Sequence, residues 1–272
     1  MKNFLNFIKM FIKKFNEDNV LGLSNELTYK IMLSSFPFLA FFLSFLGVVN
    51  LKIDKLVSEF SSVIPNKLLN IFHIFMKEVL DQKNFSIMSI SLLISIYSAS
   101  SGFRSIIKGV NRAYEQKGKR NFIVKNFVSV GLVFLFALAV ISSLILSISS
   151  EFIINILGNF EILGFRFGFA FKILKYIMLF VILFFTVTLI YKFSCYKKLK
   201  VKDTIPGALF TVLLWLISSK LYTIYVENFT NYSKIYGAIA GIFILLIWLN
   251  MISILILVGC EINALIDKNK LL

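Results

Sequence analysis

Charge is scarce in this 272-residue chain: 16% of its residues are Asp, Glu, Lys or Arg, where a soluble domain carries about a quarter. Acids are scarcer than bases, 14 against 29. The loop at 104–125 has Glu115 as its one acid and the loop at 192–203 has Asp203, which is too thin a supply for metal-dependent nuclease chemistry. Two cysteines, Cys195 and Cys260, form no CxxC pair, and the single histidine is His73. A His/Cys zinc site therefore has no support, and no metal or other cofactor is expected. No GxxxxGK[ST] segment occurs, which argues against ATP-driven work by this chain alone. Neither an internal repeat by residue match nor a low-complexity tract is visible.

What fills the space is apolar: 58% of the residues are hydrophobic and the mean hydropathy is +0.85. The excess falls in six uncharged runs. The first lies between Lys30 and Lys52 and contains Pro37, which removes a helical hydrogen bond and predicts a kink. The next three are Asn84–Phe103, Asn126–Ser150 and roughly Tyr176–Tyr191, the last extendable to Ile173 if Lys175 snorkels. The fifth begins at Thr204-Ile205-Pro206-Gly207, with Asp203 or Thr204 as cap and Pro206 in the first turn, and reaches about Val226. The sixth is Ile235–Cys260. Each is compatible with crossing a hydrocarbon core of about 30 Å as a helix. The expected fold is all-α, a polytopic membrane protein with six transmembrane helices and further amphipathic interfacial helices.

Six spans put both termini on one side. The segments on that side hold 19 of the 29 Lys and Arg, so the positive-inside rule makes it the cytoplasmic side of a cell membrane. This placement also accounts for the net charge of +15 without a nucleic-acid partner. Residues 1–20 are expected to form a cytoplasmic amphipathic helix, 21–267 the membrane domain and 268–272 a tail. In the first segment Phe4, Ile8, Phe11 and Phe15 recur at helical spacing among lysines. That pattern fits a helix on an anionic membrane surface or one docked on the protein. In the outer loops, 53–82 reads as two short amphipathic helices broken at Pro65, and Glu151–Lys172 as a glycine-broken piece able to dip into the bilayer.

Polar residues from distant segments converge at the inner ends of the spans. Glu26 precedes span one, Arg104, Lys108, Asn111 and Arg112 follow span two, and Glu261 and Asn263 end span six. A boundary carboxylate needs a partner, so Glu261 is expected to pair with Arg104 or Arg112, and Glu26 to join the same network. Gly102, Gly237 and Gly241 read as sites of close helix packing. Outside, Lys220, Tyr222, Tyr225 and Tyr236 form either an interfacial belt or the lining of a polar cavity for an anionic amphiphile.

Three stretches resemble the YihY/BrkB family of membrane proteins, once filed under the label ribonuclease BN: LTYKIMLSSFPFLAFFLSFLG from Leu27, SASSGFRSIIKGVNRAY from Ser98, and YGAIAGIFILLIWLNMISILILVGCEINA from Tyr236. The resemblance covers nearly the whole chain. It implies that the polar residues within these motifs matter and assigns them no chemistry. The expected function is a transporter-like or flippase-like protein handling a lipid-type anion, with membrane lipids as partners. A non-transporting scaffold of the cell envelope is the alternative, and ribonuclease activity is not expected.

Overall fold

The computed structural model describes residues 2–48, 85–116, 120–157, 161–162, 165–228 and 238–269. The expected outer helices within 53–82, together with His73, Tyr236 and Gly237, lie outside the described residues. Among the described residues seven helices follow in order: α1 (Lys2–Glu17), α2 (Val20–Val48), α3 (Phe85–Ala113), α4 (Phe122–Leu157), α5 (Phe167–Ser194), α6 (Val201–Asn228) and α7 (Ala238–Asn269). The windows Ser89–Ala113, Phe122–Ser143, Ile173–Ser194, Val201–Val226 and Gly241–Lys268 are long and apolar enough to span a bilayer. The sixth long helix is α2, which carries Pro37 in its interior and is uncharged from Ile31 to Val48.

Two local expectations are corrected. The stretch expected to re-enter the bilayer belongs mostly to helix ends. α4 continues to Leu157, and the two-residue strands β1 (Glu161–Ile162) and β2 (Phe165–Arg166) pair antiparallel before α5. The apolar run Phe152-Ile153-Ile154 simply prolongs the helical pattern past Glu151. α6 starts earlier than Thr204: Asp203 sits in its first turn and accepts the Lys200 N–H at 3.1 Å, the carboxylate half of a capping box. Pro206 therefore lies a turn deeper than expected.

The six long helices form a ring. α2 packs on α3, α3 on α4, α4 on α5, α5 on α6, α6 on α7, and α7 returns to α2, while α3 also reaches α7 and α5 across the centre. The ring is filled at one end, where α1, the last turn of α3 and the last turn of α7 meet. We call this the basic end. Here Leu27, Ile107, Val110, Tyr191, Val212 and Leu265 are buried. Toward the far end burial stops: among described side chains it ends at Leu132 in α4 and Val212 in α6, and begins only at Thr186 in α5 and Ile252 in α7.

The helix ends at the filled side are built by polar side chains. Asn19 takes a left-handed backbone (φ 49°) that ends α1, and its side chain accepts the Gly22 N–H at 3.2 Å to start α2. Asparagine suits both tasks, since it tolerates that conformation and caps helices well. Glu115 (φ 53°) ends α3 in a Schellman turn, with Gln116 N–H bonding Asn111 O and Glu115 N–H bonding Arg112 O, each at 2.9 Å. Glycine is the usual residue there, whereas here the position carries a charged side chain.

Candidate functional site

That side chain belongs to an ion cluster that joins three helices. Lys14 of α1 is 8% exposed and lies 3.0 Å from Asp18, 3.5 Å from Glu115 and 3.8 Å from Glu261. Lys268 of α7 bonds Glu115 at 3.0 Å, and Arg112 of α3 approaches Asp18 at 3.6 Å while donating to the Glu17 carbonyl. Three cations thus face three carboxylates. Burial alone would lower the Lys14 pKa, but the Asp18 hydrogen bond and the Glu261, Asp18 and Glu115 charges outweigh it and hold it above its usual value. The Lys268 hydrogen bond holds Glu115 below the usual carboxylate range. Glu261 is 2% exposed, and its Oε2 has no hydrogen-bond partner among the described residues. α1 is thereby docked at its last turns, where Phe15 packs on Val20, Leu23 and Leu257. Its Leu5, Met10 and Ile12 remain exposed.

A second, separate cluster surrounds Glu26. Lys30 donates to it at 2.7 Å, Lys108 at 2.8 Å and Ser105 at 3.0 Å. The Lys108 and Lys30 hydrogen bonds lead in pulling its pKa down to about 2. The single expected network is therefore two. α2 turns Glu26 toward α3, while α7 turns Glu261 toward α1, and lysines rather than arginines supply the close cations.

Arg104 joins neither cluster. Its Nη1 donates to Ser100 Oγ at 2.8 Å and Asn126 Oδ1 at 3.4 Å, and the guanidinium lies 5.3 Å from the Tyr97 ring centre. The two asparagines of the expected network are buried connectors. Asn111 donates to the Ser194 carbonyl and accepts the Tyr196 N–H, closing the end of α5 against α3. Asn263 accepts the Gly207 N–H at 2.6 Å and donates to Thr204 O at 3.2 Å, tying α7 to α6.

The glycine expectations are also redistributed. A Cβ at Gly102 would make ordinary contact with Ile31 and Leu27, and one at Gly241 would meet nothing within 4 Å. Backbone approaches backbone between Gly207 and Gly259, where a Cβ on Gly207 would collide with the Gly259 carbonyl, and one on Gly259 with Thr211 Oγ1 and the Tyr191 hydroxyl. Beside it the Tyr191 hydroxyl bonds both Thr211 and the Ile256 carbonyl at 2.7 Å. Gly207 and Gly259 stand in separate spans without a GxxxG partner, so local spacing could not reveal them.

At the far half, Lys220 is exposed. Tyr222 turns away from it to bond the Ile244 carbonyl at 2.5 Å and stacks on Tyr225 at 6.0 Å. The cavity beside Tyr222, about 330 Å³, is apolar and lined by Val226, Gly241, Ile244 and Trp248. Lys220 is not among the residues that line this cavity, and Tyr236 lies outside the described residues. Cys195 and Cys260 are buried and unpaired at the basic end. Among the described residues no three His, Cys, Asp or Glu side chains gather as a metal site.

The profile of a family described as virulence factor BrkB matches residues 11–271. The chain is 29% identical to a Bacillus subtilis protein named as ribonuclease-like, YfkH, across 98% of this chain and 97% of that one. It is 24% identical to a UPF0761 membrane protein of Haemophilus influenzae, across 97% and 96%. A UPF0761 membrane protein of Pseudoalteromonas translucida is 31% identical over 62% of this chain and 54% of its own. No solved structure matches. With the family profile spanning almost the whole chain, it belongs to the BrkB family of membrane proteins.

Proposed function

We propose that this chain works in the inner membrane as a transporter-like or flippase-like protein for an anionic amphiphile, its basic end and both termini facing the cytoplasm. The observation that carries this reading is the difference between the two ends of the ring. A carrier needs one end sealed while the other admits its cargo. The basic end is sealed by interlocked ion pairs and side chains, whereas on α7 six of the seven residues from Gly241 to Ile247 are exposed. Apolar surface on so much of a helix offers room for an acyl chain among the spans.

The test is translocation. The purified protein is reconstituted into vesicles carrying fluorescent phosphatidylglycerol or phosphatidylcholine, and dithionite reports exchange between leaflets. Protein-dependent exchange of the anionic lipid is expected, and rates equal to empty vesicles would discard the carrier. The scaffold reading would then stand, supported by the exposed Lys197, Lys198, Lys200 and Lys202 at the basic end.

Orientation is tested separately. Cys195 and Cys260 are buried, so their silence toward maleimide would not reveal a side. Lys198→Cys, at an exposed position, should label with an impermeant maleimide in inverted vesicles and not in intact cells. The opposite pattern would reverse the orientation.

A further inference from the structure

We infer that Arg104, in the groove between α3 and α4, is a binding site for the phosphate of an anionic glycerophospholipid in the leaflet that borders the basic end. Three observations carry this. The first is depth. Arg104 is the first charge after the uncharged run 84–103, and its neighbour Asn126 opens the uncharged run of α4 just after Lys125. Both therefore mark the plane where apolar spans begin.

The second is direction. Side chains on a helix lean toward its N-terminus, and α3 runs from the far end to the basic end. Arg104 accordingly folds back along Ser100 and Tyr97, into the apolar zone, where a boundary arginine would ordinarily extend toward water. Tyr97 is 70% exposed and Phe127, beside Asn126, 75%, so this groove faces outward from the ring rather than into the packed core.

The third is the state of the guanidinium. Lys30 and Lys108 are taken up by Glu26, Lys14 and Lys268 by carboxylates, Arg112 by Asp18, and Arg120 by the Phe193 and Cys195 carbonyls. Arg104 has only neutral oxygens, both on Nη1, which leaves the Nε and Nη2 edge without an acceptor among the described residues. That edge is the planar fork that accepts two oxygens of one phosphate. A cation at the edge of hydrocarbon needs a counter-charge, and the anion nearest that edge is a lipid phosphate.

This site deepens the lipid-handling reading and takes its biological meaning from it, yet binding is measured without translocation, so either can fail alone. Full-length protein in mild detergent would be titrated with phosphatidylglycerol and followed by native mass spectrometry, with phosphatidylcholine as the zwitterionic arm and glycerol phosphate as the headgroup-only competitor. Arg104→Gln should weaken phosphatidylglycerol retention roughly tenfold or more, the ratio expected on losing a charge-assisted hydrogen bond. Arg104→Lys should retain part of the binding. Asn126→Asp, which places a carboxylate beside an intact Arg104, should also weaken it and serves if Arg104→Gln fails to fold. Lys220→Gln, removing one exposed charge elsewhere, should match the parent. Retention unchanged in Arg104→Gln or Asn126→Asp would overturn the site, as would an equal loss in Lys220→Gln. Equal retention of phosphatidylcholine would overturn the choice of an anionic lipid, and displacement of the lipid by glycerol phosphate would overturn the lipid as occupant.

Discussion

Where α6 and α7 meet at the basic end, Gly207 and Gly259 bring backbone against backbone, and a buried tyrosine, threonine and asparagine bridge the two helices. About 27 Å along α7 from Gly259, at 1.5 Å per residue, Gly241 faces the apolar cavity beside Tyr222 with nothing within reach of a Cβ. The same two helices are locked at one end and spaced at the other. The motif-bearing glycine is at the spaced end and the unremarked ones are at the lock. A small residue permits close approach, and the residue opposite decides whether the approach happens. Ion pairs follow the same division, since the described salt bridges belong to α1, the basic-end turns of α2, α3 and α7, and the short links beside them. Stability should therefore be concentrated at the basic end, and substitutions at the two ends should differ in size.

The largest effect is expected at Lys14. Lys14→Met leaves buried Glu261 and half-buried Asp18 without the cation that faces both. Removing one partner of a buried pair costs about 3–5 kcal/mol. A lowered melting temperature in detergent and faster amide exchange along α1 are the expected readouts. If Lys14→Met melts with the parent, the ion cluster does not hold the basic end together. Next comes Gly207→Ala, whose new methyl meets the Gly259 carbonyl. Overpacking of this kind costs about 1–3 kcal/mol, again read as melting temperature, and a neutral result would mean that α6 and α7 separate freely.

The ring's helices were legible because charge stops abruptly at Lys30, Arg104 and Lys125 and apolar residues continue for a bilayer's width. The convergence of Glu26, Lys108, Arg112 and Glu261 at one end was also legible, since a six-span path places span ends together. Partner choice was not. Lys14 is one of four lysines in the first helix, and only the docking of α1 on α7 singles it out. Asp18 and Glu115 sit in polar turns that look solvated along the chain. Lys220 and the tyrosines near it are adjacent in sequence, but the helical turn sends Tyr222 to α7 and leaves Lys220 outside.

A smaller effect belongs to Glu26, which lies beyond the tight ion cluster and is about one-third exposed (side chain 32%). Its folded pKa of about 2 is below the ordinary 4.5, so its contribution is present above pH 4.5 and is lost as the pH falls toward 2. Screening at an exposed pair keeps that contribution near 1 kcal/mol or less. Melting curves of the parent and Glu26→Gln should differ at pH 7 and draw together as the pH is lowered below 4.5. A gap that stays constant across that range would show that the glutamine acts through packing and not through charge.

The smallest effect is expected at Gly241, and it is the sharpest test of the contrast between the two ends. Its Cβ would enter open space beside Ile244 and Trp248, so Gly241→Ala adds a methyl without a collision. Alanine also favours a helix interior over glycine by roughly 1 kcal/mol. The melting temperature should stay level or rise slightly. Gly241→Leu should be tolerated too, because the cavity of about 330 Å³ has room for the side chain. The same pair of substitutions at Gly259 would drive atoms into Thr211 and Tyr191. If Gly241→Leu destabilises the protein as Gly259→Leu does, the far halves of α6 and α7 close on each other in the membrane, and the spacing between them cannot serve as room for an acyl chain.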